Sequence, residues 1–447
     1  MRDILLMLIV VPGSVIALRH PYVGILLWTW VSIMNPHRLA YGFAREMPIA
    51  MLIGACTLVG LMMTREKRQP FINTPPRVML LLMLWMLLTT LFAFDPAGSS
   101  IQLEKVMKID IMVLVALMLV RTKREMILFC WVFVLSLAFY GIKGGIFTIA
   151  TGGSFRVWGP YGSYIWDNNH LAVALIMSIP LLRFLQTTLE GKWPRRAMTL
   201  AMVLCAASAI GSHSRGALLA ITAMALLLWW RGKNKAATGI VLIMVAAGVL
   251  MMMPEEWWAR MHTMQTYEQD QSAMGRINAW WMAFNLAKDN FFGAGFRAYT
   301  PLTFGLYAPD PEHLVAAHSI YFSMLAEHGF PGLFIYVSLW LATLHSARWL
   351  RKNAAGHPEA AWCVQLGAMA EVSIIGFLVG GTFLSLSYFD FPYNLMALVA
   401  AARYWVATKA WEREPPPPKM RTLFGVKLFF GDRLPRPGDP RSAPQQA

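Results

Sequence analysis

Apolar runs of roughly 17–25 residues, the length a helix needs to cross a ~30 Å hydrocarbon core, recur along nearly the whole chain. No other feature restricts its fold as strongly. Of the 447 residues 57% are hydrophobic and 14% charged, more apolar surface than a water-soluble domain of this size can hide. Period-2 alternation, which a membrane barrel requires, is absent. The fold class expected is therefore all-α, a polytopic membrane protein with one membrane domain over 1–410.

Residues 1–34 hold two short apolar runs, broken at "VPG" (11–13) and "RHP" (19–21). Beyond them the spans fall at 47–63, 77–94, 105–120, 126–148, 168–188, 197–211, 215–230, 236–253, 316–346, 361–380 and 387–408. The +15 net charge would suggest nucleic acid in a soluble protein. Here the cations sit in short clusters between apolar runs: "TREKRQ" (64–69), "RTKRE" (121–125), "KWPRR" (192–196), "RGKNK" (231–235), "RWLRK" (348–352) and the tail after Arg403. That is the positive-inside pattern, with the bilayer as partner and no nucleic acid.

With these clusters cytoplasmic, the eleven spans alternate without conflict and 35–46 faces outward. Residues 1–34 must then cross an odd number of times. Two stacked or half-membrane helices crossing once together give about twelve transmembrane helices, with both ends cytoplasmic. Cys56, Cys130, Cys205 and Cys363 fall within apolar runs without metal-ligand spacing and read as small core residues. The Pro- and Arg-rich 411–447 tail reads as disordered cytoplasmic sequence, and no internal repeat supports a pseudo-symmetric transporter.

Three segments then face outward: 151–170, the turn "GSHSRG" (211–216) and a long loop over about 254–316. A loop of that length is uncommon unless functional. Within it, "RINAWWMAFNLAKD" (276–289) has helical spacing, with Ile277, Trp280, Trp281, Phe284 and Leu286 suggesting a face laid on the membrane surface. Arg156, Arg215, Arg276 and His318 gather on this outer side. Arginines there run against the inside bias, and planar guanidiniums grip phosphate oxygens bidentately. A snorkelling interfacial arginine is the plain alternative for Arg215.

His318 stands at a helix start, whose partial positive charge disfavours imidazolium, so a neutral ring able to act as general base is expected. Glu327, nine residues and about 13.5 Å further along, faces the opposite side of that helix. It is expected to pack, partnered by a polar group on a neighbouring span.

These segments resemble the O-antigen ligase and polymerase superfamily. The nearest match is "AHSIYFSMLAEHGFPG" (317–332), a histidine followed by Glu-x-Gly-x-x-Gly, in which Glu327 and Gly329 are read as structural. "SRGA" (214–217), "GRINAW" (275–280), "GAGFRAY" (293–299) and "RVWG…NNHLA" (156–159, 168–172) match in the same order. Ser319 replaces the commoner Asn, and "DNNH" replaces an Asn-Pro-Asn, which bears on acceptor preference more than on the chemistry. The opening "HPYVGILLWTWVSIMNPHR" is similar to the exosortase-associated O-glycosylation ligase branch.

The resemblance implies a class C glycosyltransferase-like fold in the bacterial inner membrane, active on its periplasmic face. It implies transfer of a glycan from undecaprenyl diphosphate to a hydroxyl of lipid A–core oligosaccharide, with His318 catalytic and Arg215 and Arg276 on the diphosphate. Arg156, Asn169, Ser214, Tyr321 and Arg297 are further candidates within the matching segments. No cofactor is implied, and inversion by direct displacement needs no metal. A divalent ion at Asp310 and Glu312 is the rival to that scheme. A protein O-glycosylation ligase and a polysaccharide polymerase share the donor site. A lipid-linked oligosaccharide flippase would instead need charged residues lining a through-path.

Overall fold

The computed structural model describes residues 1–64, 73–231 and 271–414, isolated positions between 235 and 258, and the segments 421–423 and 426–428. Most of the expected span at 236–253, of the first part of the long loop (254–270), of the 64–69 cluster and of the tail lies outside the described residues. Helices α1 to α5 cover Arg2–Ala17, Pro21–Met34, Ile49–Met63, Thr74–Leu91 and Pro96–Leu119. Lys123–Ala150, Asn168–Thr187, Lys192–Ile210 and Arg215–Arg231 form α6 to α9. In the long loop lie α10 (Gln271–Asp289) and α11 (Pro301–Tyr307), followed by α12 (Ile320–Asn353), α13 (Ala361–Gly381) and α14 (Asp390–Ala407).

Local sequence explains many of the boundaries. Thr122 and Glu125 form a reciprocal capping box at the start of α6. The side chains of Asp95, Asp167 and Ser319 accept backbone N–H groups in the first turns of α5, α7 and α12. Among the described residues, five helices are long and apolar enough to cross a membrane, with three shorter apolar ones beside them. The protein is a polytopic helical membrane protein. Large apolar side chains such as Leu5, Leu8, Met62, Leu84 and Phe334 are exposed on outer helix faces, where lipid is the natural solvent.

The N-terminal pair departs from expectation. Helix α1 runs unbroken through Pro12, so the chain turns only at 18–20. The Asp3 carboxylate accepts the backbone N–H groups of Gly42 and Ala44, each at 3.1 Å, and Arg2 donates to the Leu39 carbonyl. The beginning of α1 and the segment after α2 therefore lie at the same end. The pair is an antiparallel hairpin that returns the chain to its starting side, not a stacked pair crossing once. Helix α3 continues the meander, with Gly24 set against Thr57 and Gly54 against Trp28.

The first described residues of the tail are fastened to the helices. Glu414 accepts from Trp405 and from the backbone N–H of Lys123 at 2.9 Å, while Trp411 packs on Trp405 and His357. Further on, Arg421–Leu423 and Val426–Leu428 pair as an antiparallel two-stranded hairpin (β1, β2). It is the exception to the all-α class among the described residues.

Helix α13 packs against α7, α9 and α12, and α14 is buried along most of its length. Helix α12 is kinked at Gly329, whose φ of 67° and ψ of −175° are open only to glycine. A Cβ there would stand 2.2 Å from the Phe291 carbonyl oxygen. The close approach lets the 290–297 segment bond to α12: Ala294 and Gly295 donate to the carbonyls of Ala326 and Glu327 at 2.9 and 3.0 Å. The other edge of that segment meets the α4–α5 turn, where Phe94 donates to Ala294 at 2.9 Å and Ser99 to Phe296 at 2.8 Å.

Candidate active site

Three helix starts meet at one corner. At the end of α13, Cβ atoms on Gly380 and Gly381 would stand 2.8 Å from Val173 of α7, 3.2 Å from Ala220 of α9 and 2.6 Å from Ile320 of α12. Only glycines allow three helices to come so close to this one. One turn above each contact, or less, lie His170, Gly216 beside Arg215, and His318. Gly216 faces Phe383 of the same corner, and Asn168 at the head of α7 donates to the Ser212 carbonyl at 2.6 Å. The partial positive ends of α7, α9 and α12 thus converge, an arrangement that favours anions.

Helix α10 brings the fourth element. Trp280 stacks on Phe322 at 4.9 Å, lies 6.3 Å from Phe383, and donates its indole N–H to the Ala317 carbonyl at 2.8 Å. Arg276 is one turn before Trp280, as His318 is one turn before Phe322. Pinning the later pair brings the earlier pair together. His318 itself adopts a left-handed backbone, φ 45°, which costs a non-glycine residue about 1–2 kcal/mol and needs support from its neighbours.

The His318 imidazole is pushed down to about 4, first by burial, then by the Arg276 guanidinium and by His170, with the Asp167 carboxylate pulling the other way. A neutral ring was expected from the helix start alone. Desolvation and the Arg276 guanidinium push it the same way.

The other sequence candidates occupy varied places. Arg156 is exposed on the 151–167 loop, and no hydrogen bond or ion pair among the described residues joins it to His318. Asn169 is engaged in the α7 cap through Asp167. Ser214 caps α9 by accepting from Ala217 at 3.2 Å, and Tyr321 donates to the Leu378 carbonyl at 3.0 Å. Arg297 enters through its backbone: its N–H donates to Glu327 Oε1 at 2.9 Å, while its guanidinium lies near Gly98 of α5. Around Asp310 the chain is fastened to α10 through Asn278, which donates to the Asp310 carbonyl at 2.8 Å and accepts its N–H at 2.9 Å.

Glu327 makes no contact with His318. Its second carboxylate oxygen accepts from Tyr388, whose hydroxyl is 2.9 Å from His328 Nε2, and His328 Nδ1 is 2.7 Å from the Thr89 hydroxyl. With Tyr388 donating to Glu327, His328 donates to Tyr388 from Nε2, and its Nδ1 competes with the Met86 carbonyl for the single Thr89 hydroxyl proton. This buried string joins α4, α12, the 290–297 segment and the approach to α14. Tyr388 and His328 are invisible as a pair in the sequence, 60 residues apart. His170 had a signal, since it closes "DNNH" at the head of an apolar helix much as His318 does.

Residues 200–337 match the family model described as O-antigen ligase. The chain carries an O-antigen ligase family domain over those residues. The matched stretch contains Arg215, Arg276 and His318, together with the Glu327 anchor. Residues 1–190 match a family of unknown function, so His170 and the α1–α2 hairpin lie outside the ligase match. No curated protein matches the chain.

Proposed function

We propose that this protein transfers a glycan from undecaprenyl diphosphate to a hydroxyl of lipid A–core oligosaccharide at the periplasmic face of a bacterial inner membrane. The observation that carries the reading is the half-buried His318 beside the Arg276 guanidinium, at a corner where three helix starts converge. An unprotonated ring nitrogen of His318 takes the acceptor hydroxyl proton as the oxygen attacks the anomeric carbon. The bond from that carbon to the diphosphate oxygen breaks as the new glycosidic bond forms, with inversion and no covalent intermediate. The electron pair leaves on the diphosphate, whose growing charge is met by Arg215, Arg276 and the helix ends. Metal-independence is part of this reading, two guanidiniums supplying the charge a divalent ion would bring.

Reconstitution with an undecaprenyl-diphosphate glycan and separate acceptors tests it. Lipid A–core is expected to become glycosylated, and His318→Ala to abolish turnover while retaining donor binding. Glycosylation only of a protein hydroxyl, or only of a second lipid-linked glycan, would reassign the acceptor and leave the donor chemistry standing. Loss of activity on chelation, restored by Mg²⁺ or Mn²⁺, would refute the arginine-only scheme.

A further inference from the structure

Both ring nitrogens of His170 are buried, and among the described residues neither has a hydrogen-bond partner. The Tyr164 main chain comes near the ring but outside hydrogen-bonding geometry. A buried imidazole left without partners costs free energy unless something outside the chain satisfies it. His170 stands in the first turn of α7, one turn above the Val173 contact with Gly380, so it opens onto the same corner as Arg215 and His318. His318 lies close enough for the two rings to disfavour each other's charge, and the starts of α9 and α12 meet at the same corner. The one nearby carboxylate, Asp167, is spent on the backbone N–H groups of Asn169 and His170 and on the Asn169 amide.

We propose that His170 is a further ligand of the departing diphosphate, donating a ring N–H to a phosphate oxygen alongside Arg215 and Arg276. The inference rests on the donor chemistry proposed above. An anion is the occupant that suits the place, because a hydroxyl acceptor would gain nothing from three converging helix starts. The residue lies outside the stretch matched to the ligase family, so the first half of the chain supplies part of the donor site.

The test uses the full-length protein in lipid nanodiscs, with undecaprenyl diphosphate as the binding probe and undecaprenyl phosphate for comparison. His170→Phe keeps a ring of similar bulk without a donor and is expected to weaken diphosphate binding about tenfold. His170→Gln keeps an N–H donor and should stay within about threefold of the parent. The opposite order, with Phe restoring binding and Gln not, would make His170 a packing residue and overturn the proposal. Unchanged diphosphate binding in both variants with turnover lost would place His170 on the acceptor and overturn it equally. Should both variants fail to fold, the ¹⁵N signals of His170 in the unsubstituted protein decide. They are expected to shift on adding undecaprenyl diphosphate, and an unmoved resonance at saturation refutes the contact. His318→Ala separates this inference from the reading beneath it. If that variant still turns over, His318 is not the base, whereas the binding result for His170 is unaffected.

Discussion

Replacing Trp280 by Phe isolates the one hydrogen bond that fixes the carbonyl before His318. The indole N–H to Ala317 contact, 2.8 Å, contributes about 0.5–1.5 kcal/mol net. Holding His318 at φ 45° costs about 1–2 kcal/mol, so the two quantities are comparable and the bond decides which backbone conformer dominates. Losing ~1 kcal/mol shifts the ratio of the two conformers about fivefold, so with the two forms near balance the fraction with His318 in place falls about threefold. Phe keeps most of the stacking on Phe322, so the fold should persist. Trp280→Ala removes the stack as well and opens a cavity, a loss of about 3–5 kcal/mol that should lower the yield of folded protein. The assay is ligation at saturating donor beside donor binding for the purified Phe variant. Turnover about threefold down with donor affinity within about twofold is the expected result. Full turnover in Trp280→Phe would show that the His318 segment needs no support from α10, and the geometric argument would fail.

Three other outcomes are expected. Gly329→Ala forces a side chain into a conformation worth about 1–3 kcal/mol of strain and against the Phe291 carbonyl; an unchanged melting temperature in detergent would remove the close approach from the account. Because the His318 ring is pushed down to about 4 from 6.5, its neutral form persists well below pH 6. The acid limb of turnover should lie near that lowered value, and a limb at the ordinary histidine value would contradict the burial. The matching stability contribution is present above 6.5 and lost as pH falls through the folded value. Finally, single cysteines at positions 2 and 42 in a Cys-free background should label from one side of the membrane and a cysteine at 19 from the other. Labelling of 2 and 19 from the same side would undo the hairpin.

The sequence by itself determined the class and most of the helix positions. Runs of apolar residues as long as a bilayer is thick admit one solution, since every backbone N–H and C=O must be satisfied within its own segment. Capping residues such as Thr122 with Glu125 and Asp167 mark helix starts for reasons as local. His318, Arg215 and Arg276 stood out as candidates because ionisable groups beside apolar runs are costly and therefore informative. Helix lengths near the lower limit carry less information. The 16 and 14 residues of α1 and α2 suit either a stacked pair or a hairpin, and the Asp3 contacts with Gly42 and Ala44 decide between them.

Only the tertiary structure decided which distant groups meet. Nothing local in "DNNH" says that His170 faces the corner of His318, or that Tyr388 joins Glu327 to His328. Nor does a glycine pair at 380–381 announce that three helices will close on it. Periodicity records which face of a helix is apolar, but the partner of that face depends on how close two backbones come. Here that distance is set by a missing Cβ at Gly380 and Gly381 and by the glycine-only conformation of Gly329, contacts that join residues tens or hundreds of positions apart.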